Sequence, residues 1–243
     1  MKSIRIAVPA LLSERKKRYH LAKIALKRKQ NTPHDAYSVR DFYFGAYESE
    51  WVSPYTKSAA NLNADVMVLL QDWASKEYLS KKFRPELALL GLDPKLPTSQ
   101  RLDRLLTHHL NLRLCDTFAT NLNPFIKQGS LSAAMTWQNL LFCAEQYALP
   151  QIEIISPRLV ICLGLNVFNA LSIAAGGVRH KRLDNAIKAP FLLLSQNGNF
   201  CYVFAQSHTG FHGYTSRNRN NRQQVELDWN QMMSHFKYEF SPY

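Results

Sequence analysis

Val66-Met67-Val68-Leu69-Leu70-Gln71-Asp72-Trp73 is an unbroken apolar run that closes on an amide and an acid. Cys201-Tyr202-Val203-Phe204-Ala205-Gln206-Ser207-His208-Thr209 repeats the pattern and closes on a histidine. Uniform apolar runs of this length read as strands buried on both faces. In open parallel sheets, ligands bind beyond the carboxyl ends of the strands. Asp72 and His208 are therefore expected to share one cleft although they lie far apart in the chain.

Working outward, Cys115–Thr120 and Arg158–Leu163 read as two further strands. Phe191–Ser195 reads as another, followed by a turn at Asn197-Gly198. Helical patterns fall between them. One covers residues 98–111, with Thr98 or Ser99 as cap and Leu102, Leu105, Leu106 and Leu110 on one face. Others run from Ser130 or Ser132 to about Gln146, over Gln151–Ser156, over Asn166–Ala175 and over about 215–237. Strands alternating with helices imply right-handed crossovers. The expected fold is α/β, three layers (α/β/α) around a central, mostly parallel four-stranded sheet. Polar residues gather at four strand ends: Gln71-Asp72, Asn121-Leu122-Asn123, Gly164-Leu165-Asn166 and Ser207-His208.

The 243 residues, 46% of them hydrophobic, suffice for a proper core. No apolar stretch is long enough to span a membrane, and Arg5 and Pro9 break the short N-terminal apolar run, against a signal peptide. The four cysteines form no CxxC pair, so neither a zinc site nor an iron–sulfur cluster is expected. Each lies in an apolar segment, which fits a reducing, cytoplasmic setting. Thirty basic residues against eighteen acidic ones give a formal charge of +12, which points to a polyanionic partner. Much of that charge falls in residues 1–30, where Ser13 caps an expected helix from Glu14 to about Gln30. Lys16, Lys17 and Arg18 are its expected DNA-phosphate contacts. Residues 1–45 read as a basic, partly helical extension, and residues 46–243 as the α/β domain.

The four strand ends, taken in order with the helix–strand unit Ile152-Glu153-Ile154-Ile155-Ser156-Pro157-Arg158-Leu159-Val160-Ile161-Cys162-Leu163-Gly164, resemble the uracil-DNA glycosylase superfamily over roughly residues 45–235. The resemblance implies a monofunctional DNA glycosylase that flips a pyrimidine from the stack and hydrolyses its N-glycosidic bond. It needs no cofactor, and its partner is double- or single-stranded DNA, met by a monomer. Asp72 would orient the attacking water and stabilise the sugar cation. His208 would hydrogen-bond the departing base. Asn121 would read a pyrimidine edge, beside Gln71, Trp73 and Ala74. Phe83 or Tyr78 would stack on the flipped base. Residues 209–219 would form a loop that enters the minor groove, with Phe211 or His212 as the wedge. Ser207, Thr209, Arg217 and Arg219 would contact DNA around it.

The chain departs from the superfamily at two places. The family's Gly-Gln-Asp-Pro-Tyr is Leu70-Gln71-Asp72-Trp73-Ala74, so a small residue replaces the tyrosine that walls the C5 side of the base. Thr209 replaces the usual proline after the histidine. A small residue at the wall position fits a pyrimidine substituted at C5, such as the glucosylated hydroxymethylcytosine of phage DNA, and an antiviral role. Uracil excision in base-excision repair and a non-catalytic DNA-binding protein of the same fold are the alternatives. A nucleotide hydrolase finds no support, because no glycine-rich phosphate loop is present.

Overall fold

A computed structural model describes residues 12–194 and 199–240, the side chains of 237–240 excepted. The turn expected at Asn197-Gly198, and the cations Lys2 and Arg5, lie outside the described residues. The strands are β1 (Ala36–Tyr37), β2 (Val66–Asp72), β3 (Phe118–Asn123), β4 (Ile126–Lys127), β5 (Leu159–Leu163), β6 (Phe191–Leu194) and β7 (Phe200–Gln206). β1 and β4 form a small antiparallel ribbon. The main sheet has the order β3-β2-β5-β7-β6. Its first four strands are parallel, as expected, and β6 adds an antiparallel fifth at the edge.

The helices are α1 (Glu14–Gln30), α2 (Lys76–Ser80), α3 (Pro85–Leu90), α4 (Pro97–Leu110), α5 (Trp137–Cys143), α6 (Leu149–Ile155), α7 (Leu165–Ala174), α8 (Leu183–Ile187), α9 (Phe211–Arg217) and α10 (Gln224–Phe240). Strand side chains point alternately to the two faces, and the core divides accordingly. Met67, Leu69, Val160 and Val203 pack with α1, α5, α6 and α7. Val68, Leu70, Ile161 and Phe204 pack with α4 and α10. The result is the expected three-layer α/β/α arrangement. Across the outer edges of α4 and α10, His109 Nε2 meets Glu226 at 2.7 Å and Arg104 meets the same carboxylate at 2.8 Å. Among the described residues, no helix is long and apolar enough to cross a membrane.

Three boundaries differ from expectation. The strand read as Cys115–Thr120 begins at Phe118 and runs on to Asn123. A 3-10 turn at Leu114–Asp116, closed by Thr117 Oγ1 donating to Leu114 O at 2.7 Å, takes up the residues before it. α5 starts at Trp137, capped by Thr136 rather than by Ser130 or Ser132. Residues after His208 form the helix α9 and not a loop, with α10 following.

The largest correction concerns α1, expected in a basic extension outside the α/β domain. Leu21 and Ala25 are buried in the same core as β2 and α7. Lys17, expected on DNA, is buried and donates to Leu62 O at 2.8 Å and Ile155 O at 3.0 Å. Those carbonyls precede β2 and β5, so this turn of α1 sits at the amino edge of the sheet. Burial pulls the Lys17 pKa below the usual lysine range. Lys16 is exposed on the same turn, and Arg18 pairs with Glu50 at 3.1 Å and lies over Trp51. The three residues thus mark the edge opposite Asp72. Lys17→Ala is expected to cost about 1–3 kcal/mol in urea unfolding, since two buried carbonyls lose their donor. Lys16→Ala should leave the urea midpoint within error.

Candidate active site at the carboxyl edge

Parallel pairing carries Asp72 and the residues after β7 to one edge, with β5 between them. Asp72 is the last residue of β2, opposite Asn123 in register. Its Oδ2 accepts two hydrogen bonds, from Gln71 Nε2 at 2.9 Å and from Lys127 Nζ at 3.1 Å. Its Oδ1 has no hydrogen bond among the described residues. One carboxylate oxygen is tied down and the other is left to act.

Lys127 is a site residue that the sequence reading missed. Its side chain is 6% exposed against 11% for Asp72, so the ion pair is largely withdrawn from water. The ammonium also donates to Leu131 O at 2.6 Å and Ala133 O at 3.1 Å, which uses all three N–H groups. Its backbone is fixed twice, by pairing of β4 with β1 and by a bridge to Ser75. An isolated lysine after an irregular stretch carries no sequence signal for this. A cue lay only in its being the sole cation between Arg113 and Arg158.

His208 follows β7 and is mostly buried. The Gly210 backbone N–H donates to its Nδ1 at 2.9 Å. Nδ1 is therefore the acceptor, and the neutral ring carries its proton on Nε2. Burial holds the imidazole pKa below its usual value; the Asp72 charge opposes that shift and the Lys127 charge reinforces it. Glycines make room for the ring. A Cβ on Gly210 would lie 2.7 Å from His208 Nδ1, and one on Gly213 would lie 2.5 Å from His208 O.

The other expected site residues are placed differently. Gln71 spends its amide N–H on Asp72 instead of facing a base. Asn121 lies inside β3, fully buried, and its Oδ1 accepts from Ser53 Oγ at 2.6 Å, while its Nδ2 has no partner among the described residues. Trp73 donates to Gly91 O at 2.6 Å and packs on Tyr47. Ala74 is completely buried among Val39, Phe42, Tyr47, Leu79 and Leu87, so no open space adjoins it. Phe83 is half exposed but packs on Tyr43 and Tyr47, and Tyr78 lies beneath Arg84.

Ser207 and Thr209 are buried, which removes both from direct phosphate contact, and Thr209 O accepts from Arg101 at 3.2 Å. Arg217 is no phosphate ligand either. It binds Asp228 through two nitrogens, at 2.5 and 2.9 Å, and also Asp184, which clamps α9 to α8 and α10 and raises its pKa. Phe211, His212 and Arg219 are exposed, the first two side by side at the start of α9.

A cavity of about 260 Å³ lies past the end of β3, on the side of Asp72 away from His208. Asn123 and Lys127 border it toward Asp72. Asp35, Thr136 and Asn139 give it polar walls, and Met135 and Phe142 give it an apolar one. Asn139 Nδ2 donates to Asp35 Oδ2 at 2.6 Å, while the buried Asp35 Oδ1 has no partner among the described residues. Nothing in the sequence marked this space, because its walls come from three separate stretches, residues 33–36, 123–128 and 134–143.

No protein-family model matches this chain, and no curated protein is similar to it.

Lys127→Met should raise the His208 pKa, read by NMR titration of the imidazole, because it removes a nearby positive charge. It should also cost roughly 3–5 kcal/mol, since Asp72 is left charged and uncompensated in a buried place. In the wild type, the depressed His208 pKa means that the unfolded chain binds this proton first as pH falls. The contribution of His208 to stability is therefore whole above about pH 6.5 and declines as pH falls through its folded pKa.

Proposed function

We propose that the chain is a monofunctional DNA N-glycosylase that hydrolyses the bond between a flipped-out pyrimidine and its deoxyribose. One observation carries this reading: a carboxylate with one free oxygen and a neutral imidazole share the carboxyl edge of the sheet. Cleavage of an N-glycosidic bond builds positive charge on the sugar and negative charge on the base. Asp72 Oδ1 suits the first, and His208 Nε2–H suits the second without itself giving up a proton. Asp72 also takes the proton of the attacking water. The water oxygen bonds to C1′, the bonding pair leaves with the base, and the base is protonated from solvent. The order of the four strand ends, which resembles that of the uracil-DNA glycosylase superfamily, supports the same assignment.

Ala74, at the position where the family walls C5, is enclosed and offers no room itself, so a substituted base would have to place C5 toward the cavity past β3 instead. In a pyrimidine, C5 lies across the ring from C2. A base whose C2 carbonyl faces His208 therefore turns C5 away from it, toward β3 and the cavity. The space suits a hydroxylated substituent, with Asp35, Thr136 and Asn139 to hydrogen-bond it and Phe142 to lie against a ring. A glucosylated hydroxymethylcytosine has these properties, and its removal would serve defence against phage. Removal of plain uracil would serve repair.

Incubation with duplexes carrying uracil, glucosylated hydroxymethylcytosine or unmodified bases, followed by alkaline cleavage, counts the abasic sites formed. Asp72→Asn and His208→Ala should each lower the rate, the latter by about 10²–10³-fold. Met135→Trp, which fills the cavity, should depress release of the glucosylated base more than that of uracil. DNA binding without any released base would make the chain a non-catalytic binder.

A further inference from the structure

Phe44 has the most exposed large apolar side chain among the described residues, at 108% relative exposure. Its backbone explains why it cannot turn inward. Tyr43, Phe44 and Gly45 follow one another with φ of 47, 55 and 79°, the left-handed region that only glycine enters without strain. Two side-chain-bearing residues in succession there are held by Gly45 N–H to Phe42 O and Ala46 N–H to Tyr43 O, both at 3.0 Å. Tyr43 packs inward on Tyr47, but core packing does not account for the display of Phe44, whose ring packs on nothing.

The neighbours of this turn are aromatic and basic. Tyr43 contacts Phe83, whose ring centroid lies 5.4 Å away and which is itself 44% exposed. Tyr47 joins Tyr43 and Phe83 to Trp73, the residue after Asp72. The turn is thus tied by a chain of rings to the end of β2. Residues 75–84 carry Lys76, Lys81, Lys82 and Arg84 against one acid, Glu77. Lys81 and Lys82 are exposed beside Phe83. Exposed rings beside cations form the surface that takes unstacked bases and the backbone between them, since every base has a π-face.

We propose that the Tyr43-Phe44 turn, with Phe83, Lys81 and Lys82, is a DNA-stacking surface on which an unpaired base next to the cleft rests against Phe44. It is separate from the exposed Phe211-His212 pair beyond His208, and it does not depend on base removal.

The test is fluorescence anisotropy of the full chain with a labelled single-stranded oligonucleotide and with the same strand in duplex form. Phe44→Ala should weaken single-strand binding by roughly 5- to 150-fold, the usual worth of one stacked base. Phe44→Trp should retain binding and Phe44→Leu should lose it as alanine does. The thermal midpoint should not fall in any of them, because the side chain packs on nothing. Lys81→Gln with Lys82→Gln should lower the salt dependence of binding. Equal affinity of wild type and Phe44→Ala, or no DNA binding by the wild type, would overturn the proposal. A wild-type dimer that Phe44→Ala splits, with DNA affinity unchanged, would overturn it in favour of self-association. The proposed glycosylase activity is read independently in the base-release assay: stacking on Phe44 without base release leaves this surface standing and removes only the enzyme.

Discussion

The carboxyl edge of the sheet depends on the Lys127 ammonium, which makes three hydrogen bonds there. It ties the end of β2 to the segment after β4 through Asp72, Leu131 O and Ala133 O. Three acceptors in three directions suit a compact ammonium, whereas a planar guanidinium would present its donors in one plane. The pairing also decides which oxygen of Asp72 is left available. Because Gln71 and Lys127 share Oδ2, the carboxylate is held on one side and open on the other. The same positive charge acts on His208, where it adds to burial in keeping the imidazole neutral. Burial is the main cause of that neutral state, and Lys127 adds to it against the opposing Asp72 charge.

The sheet was legible in the chain because its signal is local. Runs of five or more apolar residues mark β2, β5 and β7; a polar pair closes the first and the last, and Gly164 closes β5. β3 was misjudged because its flanks are polar at one end and Asn-Leu-Asn at the other. Composition alone does not say whether Asn121 ends the strand or lies within it. The answer depends on Ser53, sixty-eight residues away, whose hydroxyl gives the buried amide a partner. Lys127 and the cavity were illegible for the same reason. They are made by contacts between β4, β1, α5 and the end of β2, which no spacing in the sequence announces.

The charge pattern misled in an instructive way. A run such as Lys16-Lys17-Arg18 suggests one basic face, yet a helix turns its residues to different sides. Lys17 points inward and neutralises carbonyl ends at the amino edge of the sheet, and Arg28 is likewise buried against Glu48. Arg217 is spent on Asp228 and Asp184. Part of the positive excess thus works as internal cross-linking between elements. The cations left to meet a polyanion near the site are fewer and lie elsewhere, on the segment after β2 and beyond α9.

That redistribution bears on how a nucleic acid could lie across the edge. Asp72 stands at the end of β2 and His208 beyond β7, with β5 between. Outward from Asp72, through Trp73 and Tyr47, the surface reaches Phe83 and Phe44. Outward from His208 it reaches Phe211 and His212 within four residues. Exposed rings of this size gain nothing from water, and Phe44 and Phe211 are the most exposed of them. A strand that gives up one base to the cleft must leave the neighbours of that base partly unstacked. On the proposed reading, aromatic faces on both sides of the carboxylate and imidazole would offset that loss where it arises, with the exposed Lys81, Lys82 and Arg219 placed to meet the backbone.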